Sequence, residues 1–90
     1  MSLAHEQTDP KVCDLIASDF EASTTARQDT VRAFERLGRR VCGQCNQHVE
    51  VMIDAWNELA DQDAQVARQY RARAVELREQ ERQTDEYHRQ

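Results

Sequence analysis

Fold the chain back on itself at Cys45, so that residue i meets residue 90 − i, and its apolar residues coincide. Val41 meets Val49, Leu37 meets Ile53, Phe34 meets Trp56 and Val31 meets Leu59. The charges coincide with opposite sign, since Arg40 meets Glu50, Arg36 meets Asp54 and Arg32 meets Glu58. A basic stripe at spacing four against an acidic stripe at spacing four is a pairing rule for antiparallel helices. Each exposed pair is worth a few tenths of a kcal/mol up to about 1 kcal/mol. Reversing one sign would set like charges together, so these six side chains choose the register more than they add stability.

Two structures obey this rule. In the first, residues 26–42 and 46–80 are the two helices of a hairpin and the stretch from Cys42 to Asn46 is its corner. Gly43 then takes the left-handed conformation that closes one helix, and Asn46 caps the next. In the second, one helix runs unbroken from about Ala26, and two chains pair antiparallel about a two-fold axis near Cys45. A glycine inside a helix costs about 1 kcal/mol relative to alanine, too little for Gly38 and Gly43 to decide between them. Either way the fold class is all-α and coiled-coil-like, because two glycines and one proline in ninety residues leave a β domain without its turns.

Upstream of the paired region the spacing predicts a short helix over 9–22 behind a frayed lead, 1–8. Asp9 is placed to accept hydrogen bonds from free backbone amides, and Pro10 suits the first helical position, which needs no amide partner. Val12, Leu15, Ile16 and Phe20 follow at three-and-four spacing. The run Glu21–Gln28 then weakens the pattern, and Thr25 with Gln28 matches a reciprocal capping box, so a second helix is expected from Ala26. Past Leu77 only Tyr87 is a large apolar residue, and 81–90 reads as a polar tail. The whole is one small domain, too short for a deep core.

Seventeen acidic side chains against twelve basic ones leave a formal charge of −5, a field that repels phosphate. Nucleic acid and anionic membrane are therefore not expected as partners. No run of about eighteen apolar residues exists, the first nine residues lack the basic start and apolar centre of a secretory signal, and three cysteines form no disulfide framework. The expected location is the cytoplasm.

One constellation has metal or redox spacing. Cys42-Gly43-Gln44-Cys45 resembles the thioredoxin-type dithiol over those four residues, but no strand precedes it and Gln44 stands where proline is usual. Cys42, Cys45 and His48, with Cys13 as a fourth ligand if the first helix docks at the corner, would form a closed structural zinc set. The plainer expectation is no cofactor, with the cysteines packed as small hydrophobes. The carboxylates Glu50, Asp54, Glu58 and Asp61 contain no Glu-x-x-His pair of the di-iron kind and read as a solvated or arginine-paired face.

The function that fits is a non-enzymatic helical interaction module: an adaptor, an accessory subunit or a small acidic chaperone. Its interface residues would be Val31, Phe34, Leu37, Val41, Val49, Met52, Trp56, Leu59, Val66 and Tyr70, with Arg32, Arg36, Arg40, Glu50, Asp54 and Glu58 setting register. Its partners would be a second copy of itself and another protein. The alternative is a cysteine-centred zinc site or thiol switch that controls assembly.

Overall fold

A computed structural model describes residues 3–38 and 43–89, with the backbone alone for 43–46 and 89. Two long helices, α1 (Pro10–Gly38) and α2 (Gly43–Arg89), lie antiparallel in one chain behind a short 3-10 turn at Ala4–Glu6. The result is a rod of 72 × 19 × 13 Å. The hairpin is thus formed within one chain, and the unbroken helix spanning the corner is excluded.

Helix α1 starts at Pro10 because the Asp9 carboxylate accepts the Lys11 amide at 2.9 Å and the Asp9 carbonyl accepts the Cys13 amide at 3.1 Å. The expected break after residue 22 does not occur. The Thr25 hydroxyl, expected to cap a new helix, turns back on the old one and donates to the Glu21 carbonyl, as Thr24 Oγ1 does to Phe20 and Thr30 Oγ1 to Ala26. Such back-bonding satisfies a hydroxyl inside a helix without ending it. The second helix also begins three residues before the expected start at Asn46. Gly43 is already helical, which rules out the left-handed closure assigned to it. Residues 39–42 of the corner lie outside the described residues, and with them Arg40, Val41 and Cys42.

Each helix presents a seam whose steps alternate three and four. On α1 it runs through Pro10, Cys13, Ala17, Phe20, Thr24, Arg27, Val31 and Phe34 to Gly38, every one buried or half-buried. On α2 it runs through Val49, Ile53, Trp56, Ala60, Asp63, Ala67, Tyr70 and Ala74 to Leu77, with the same result. Arg27 meets Asp63 across the seam, a pair summing to 90, and Cys13 and Ala17 of α1 share one cluster with Ala74 and Leu77 of α2. The antiparallel pairing expected about Cys45 thus extends outward to Arg27 and Asp63.

The core on this seam is built of small residues. Ala60, Ala67 and Ala74 recur every seven positions, with exposures of 3%, 3% and 1%. Cys13 is the largest side chain that is fully buried among the described residues. The lead is not frayed from residue 3 onward: Ala4 is buried against the cluster of Cys13, Ala17, Tyr70, Ala74 and Leu77, and Arg73 Nε donates to the Gln7 carbonyl at 3.0 Å. The polar tail continues α2 to Arg89, with residues 81–88 all exposed.

Candidate interaction surface

Halfway along the rod the seam turns polar. Asp63 Oδ2 accepts Ser23 Oγ at 2.6 Å and Arg27 Nε at 2.7 Å, and the Arg27 guanidinium lies 5.4 Å from the centre of the Trp56 ring. Trp56 and Asp63 are seven residues apart on one face, so the guanidinium bridges a carboxylate and an aromatic face, a favourable site for a planar cation. The Ser23 hydroxyl, aided by Arg27 and opposed by desolvation, holds the Asp63 carboxyl below its usual range.

One flank of the seam is ionic. Asp14, Ser18 and Glu21 of α1 meet Arg71 and Arg78 of α2. Arg71 Nη1 donates to Asp14 at 3.0 Å, Arg71 Nη2 to Ser18 Oγ at 3.2 Å and to Glu21, and Arg78 to the other Asp14 oxygen. The Arg78 hydrogen bond lowers the Asp14 pKa, with Arg71 adding to it against desolvation. Bonding to Glu21 first, then to Asp14, raises that of Arg71. These groups are partly in water, so each pair contributes modestly and their value lies in alignment.

The opposite flank has a different chemistry. Along α1 it carries Ser23, Ala26, Thr30, Ala33 and Leu37; along α2 it carries Met52, Ala55, Leu59, Gln62, Val66 and Gln69. None of these residues is charged, in a chain of which 32% is charged. Leu37, Met52 and Leu59 are 47%, 43% and 39% exposed. The outer end of this flank, at Arg73, is where the segment Ala4–Gln7 sits.

The expected interface residues divide accordingly. Val31, Val49 and Tyr70 are buried between the helices at 6%, 8% and 8% exposure, so Tyr70 serves the hairpin rather than offering an external anchor. Phe34, Trp56 and Val66 are half-buried in or beside the seam. Leu37, Met52 and Leu59 alone of the described set stand clear. The register charges require correction. Arg32 pairs with Asp29 of its own helix at 2.7 Å, not with Glu58. Arg36, Glu50, Asp54 and Glu58 are exposed and take part in no ion pair among the described residues. Arg32 and Arg36 are exposed, and neither forms an ion pair with α2 among the described residues. The charges that do bridge the helices lie farther from the corner, and on the ionic flank their signs are reversed, with acids on α1 and arginines on α2.

Cys13 lies far from the corner. It is fully buried, and 25 residues of helix, roughly 37 Å at 1.5 Å per residue, separate it from Gly38. A zinc set including Cys13 is therefore geometrically excluded. His48 is exposed on the first turns of α2, while Cys42 and the Cys45 side chain lie outside the described residues. The residues not anticipated, Arg27, Asp63, Asp14, Arg71 and Arg78, carried a signal in the alternating three-and-four step, which places Arg27 and Asp63 level on the seam.

The fold and surface define a two-helix, all-α protein joined by a polar layer and one ionic flank. No helix among the described residues is long and apolar enough to cross a membrane. The chain matches no protein-family model, no curated protein and no solved structure.

Proposed function

We propose that this protein is a non-enzymatic helical interaction module, an adaptor, accessory subunit or small acidic chaperone of the cytoplasm. It acts through the uncharged flank of a coiled-coil-like hairpin and associates with itself as well as with another protein. The observation that carries this reading is the segregation of charge: ionic side chains occupy one flank and the outer surface, while Leu37, Met52 and Leu59 stand exposed on the other. Leu15, Val51, Val75 and Tyr87 are also exposed, off this flank, but grouped apolar side chains mark a docking surface more often than scattered ones do. The thin core supports it too, since a two-helix layer leaves Phe34, Ile53 and Trp56 only half-covered. The net charge of −5 favours protein over phosphate-bearing partners.

The test is site-specific photo-crosslinking in the cells that express the protein. A benzophenone amino acid at Met52 should give covalent protein adducts, and the same probe at Arg68, on the ionic side, should give none. Equal labelling from both positions, or none from either, would overturn the reading.

A further inference from the structure

We infer that the uncharged flank is a homodimer face, on which two hairpins pack flank to flank into four helices; this rests on the interaction-module reading and names the partner of that strip as a second copy of the chain. Charge selects the face. Two copies each carrying −5 repel, and on the outer surface Glu50, Asp54 and Glu58 would approach their counterparts. On this flank none of the side chains named from Ser23 to Leu37 on α1 and from Met52 to Gln69 on α2 is charged.

Shape selects a second copy over a lone helix. The same strip carries large side chains, Leu37, Met52 and Leu59, and small ones, Ala26, Ala33 and Ala55. A two-fold interface needs one patch that supplies both. The Met52–Gln69 run is about 26 Å long at 1.5 Å per residue, and the hairpin is 19 Å wide. Two copies would cover about 500 Å² each and about 1,000 Å² together, the lower limit for a specific interface. A single docked helix spans about half that width and falls short of it. The buried Ala4 segment closes the outer end of the flank, which leaves the open part centred near Thr30 and Leu59.

Sedimentation equilibrium of the untagged full chain under reducing conditions tests this. The wild type should show a monomer–dimer equilibrium in the micromolar range. Leu59→Glu, placing like charges near the two-fold axis, should weaken it by about 100-fold or more, as should Ala33→Arg, which sets a bulky charge at a small residue of the face. Arg68→Glu on the other side should leave it unchanged, with helical circular dichroism retained in all three. Wild-type protein monomeric at several hundred micromolar, or dimers that survive both flank variants, would overturn the inference. Monomeric protein that still forms adducts with a different chain through Met52 would sink the homodimer alone; absence of adducts would sink the module reading as well.

Discussion

Arg27 and Asp63 meet across the middle of the seam, Nε to Oδ2 at 2.7 Å, with side chains only 27% and 15% exposed. A charged pair in a helix–helix seam fixes which residues lie level, because sliding either helix by one turn would leave both groups half-buried and unpaired. Ser23 on the carboxylate and Trp56 under the guanidinium complete the site. The pair therefore specifies the fold more strongly than it stabilises it.

Removing one partner should show this. Asp63→Ala is expected to lower the unfolding free energy by about 1–3 kcal/mol, measured by urea titration, because Arg27 and Ser23 lose their acceptor. The double variant Arg27→Leu/Asp63→Leu should be at least as stable as wild type, since apolar residues in a seam offset the lost pair. A double variant weaker than Asp63→Ala alone would show that the pair is a net source of stability.

Acid should loosen the hairpin in a defined window. Asp63 and Asp14 have folded pKa values below the ordinary 3.8, the first through Ser23 and then Arg27, the second through Arg78 and then Arg71. A depressed carboxylate contributes stability that is present above its unfolded pKa and lost as pH falls through the folded value. The melting temperature should thus hold from neutral pH to about 4 and decline below it. Asp63→Asn should reduce the decline, and salt should weaken the Asp14 contribution, which is more exposed to screening. A melting temperature unchanged down to pH 2 would contradict the assignment.

Much of the architecture was legible because helices leave a periodic trace. The relation about Cys45 sets Phe34 with Trp56, both half-buried in the seam, and Arg27 meets Asp63 at the same sum of 90. Large side chains then misled at Leu59 and Leu37, which the pairing about Cys45 sets opposite Val31 and Ile53, whereas Ala60 and Gly38 occupy the seam and both leucines are exposed. Close helix approach favours the small residue at a given level and pushes its large neighbour to the flank. Thr25 misled for another reason, since a hydroxyl that caps a helix start also bonds inside a helix, as it does here to the Glu21 carbonyl. For the candidate surface, what a list of apolar residues did not contain was the charge-free row of Ala26, Ala33, Ala55 and Gln62, visible only once the seam direction was known.

Cys13 should behave as core. It is fully buried among Ala17, Ala74 and Leu77, and a buried thiol in apolar surroundings reacts slowly. In a Cys42→Ser/Cys45→Ser variant, where Cys13 is the one remaining thiol, alkylation should be negligible in the native state and should rise with urea in parallel with the loss of helix. Rapid labelling without denaturant would place Cys13 outside the core.

The two ends of the rod should respond differently to truncation. The lead contributes a buried Ala4 and an acceptor at Gln7 for Arg73, whose side chain is 18% exposed; deleting residues 1–7 uncovers the end of the core at Tyr70, Ala74 and Leu77 and leaves that guanidinium with one bond fewer. The expected loss is about 1–2 kcal/mol. The end of α2 has no helix opposite it, because Leu77 is level with Cys13 and α1 begins at Pro10. Residues 81–88 are exposed throughout and are tied by local pairs such as Arg82 with Glu79 and Glu86. Exposed pairs of this kind contribute only a few tenths of a kcal/mol, so deleting residues 83–90 should change the urea midpoint little while removing helical signal in proportion to length. A larger loss from the tail than from the lead would mean that α2 beyond Leu77 is held by contacts other than those of the hairpin.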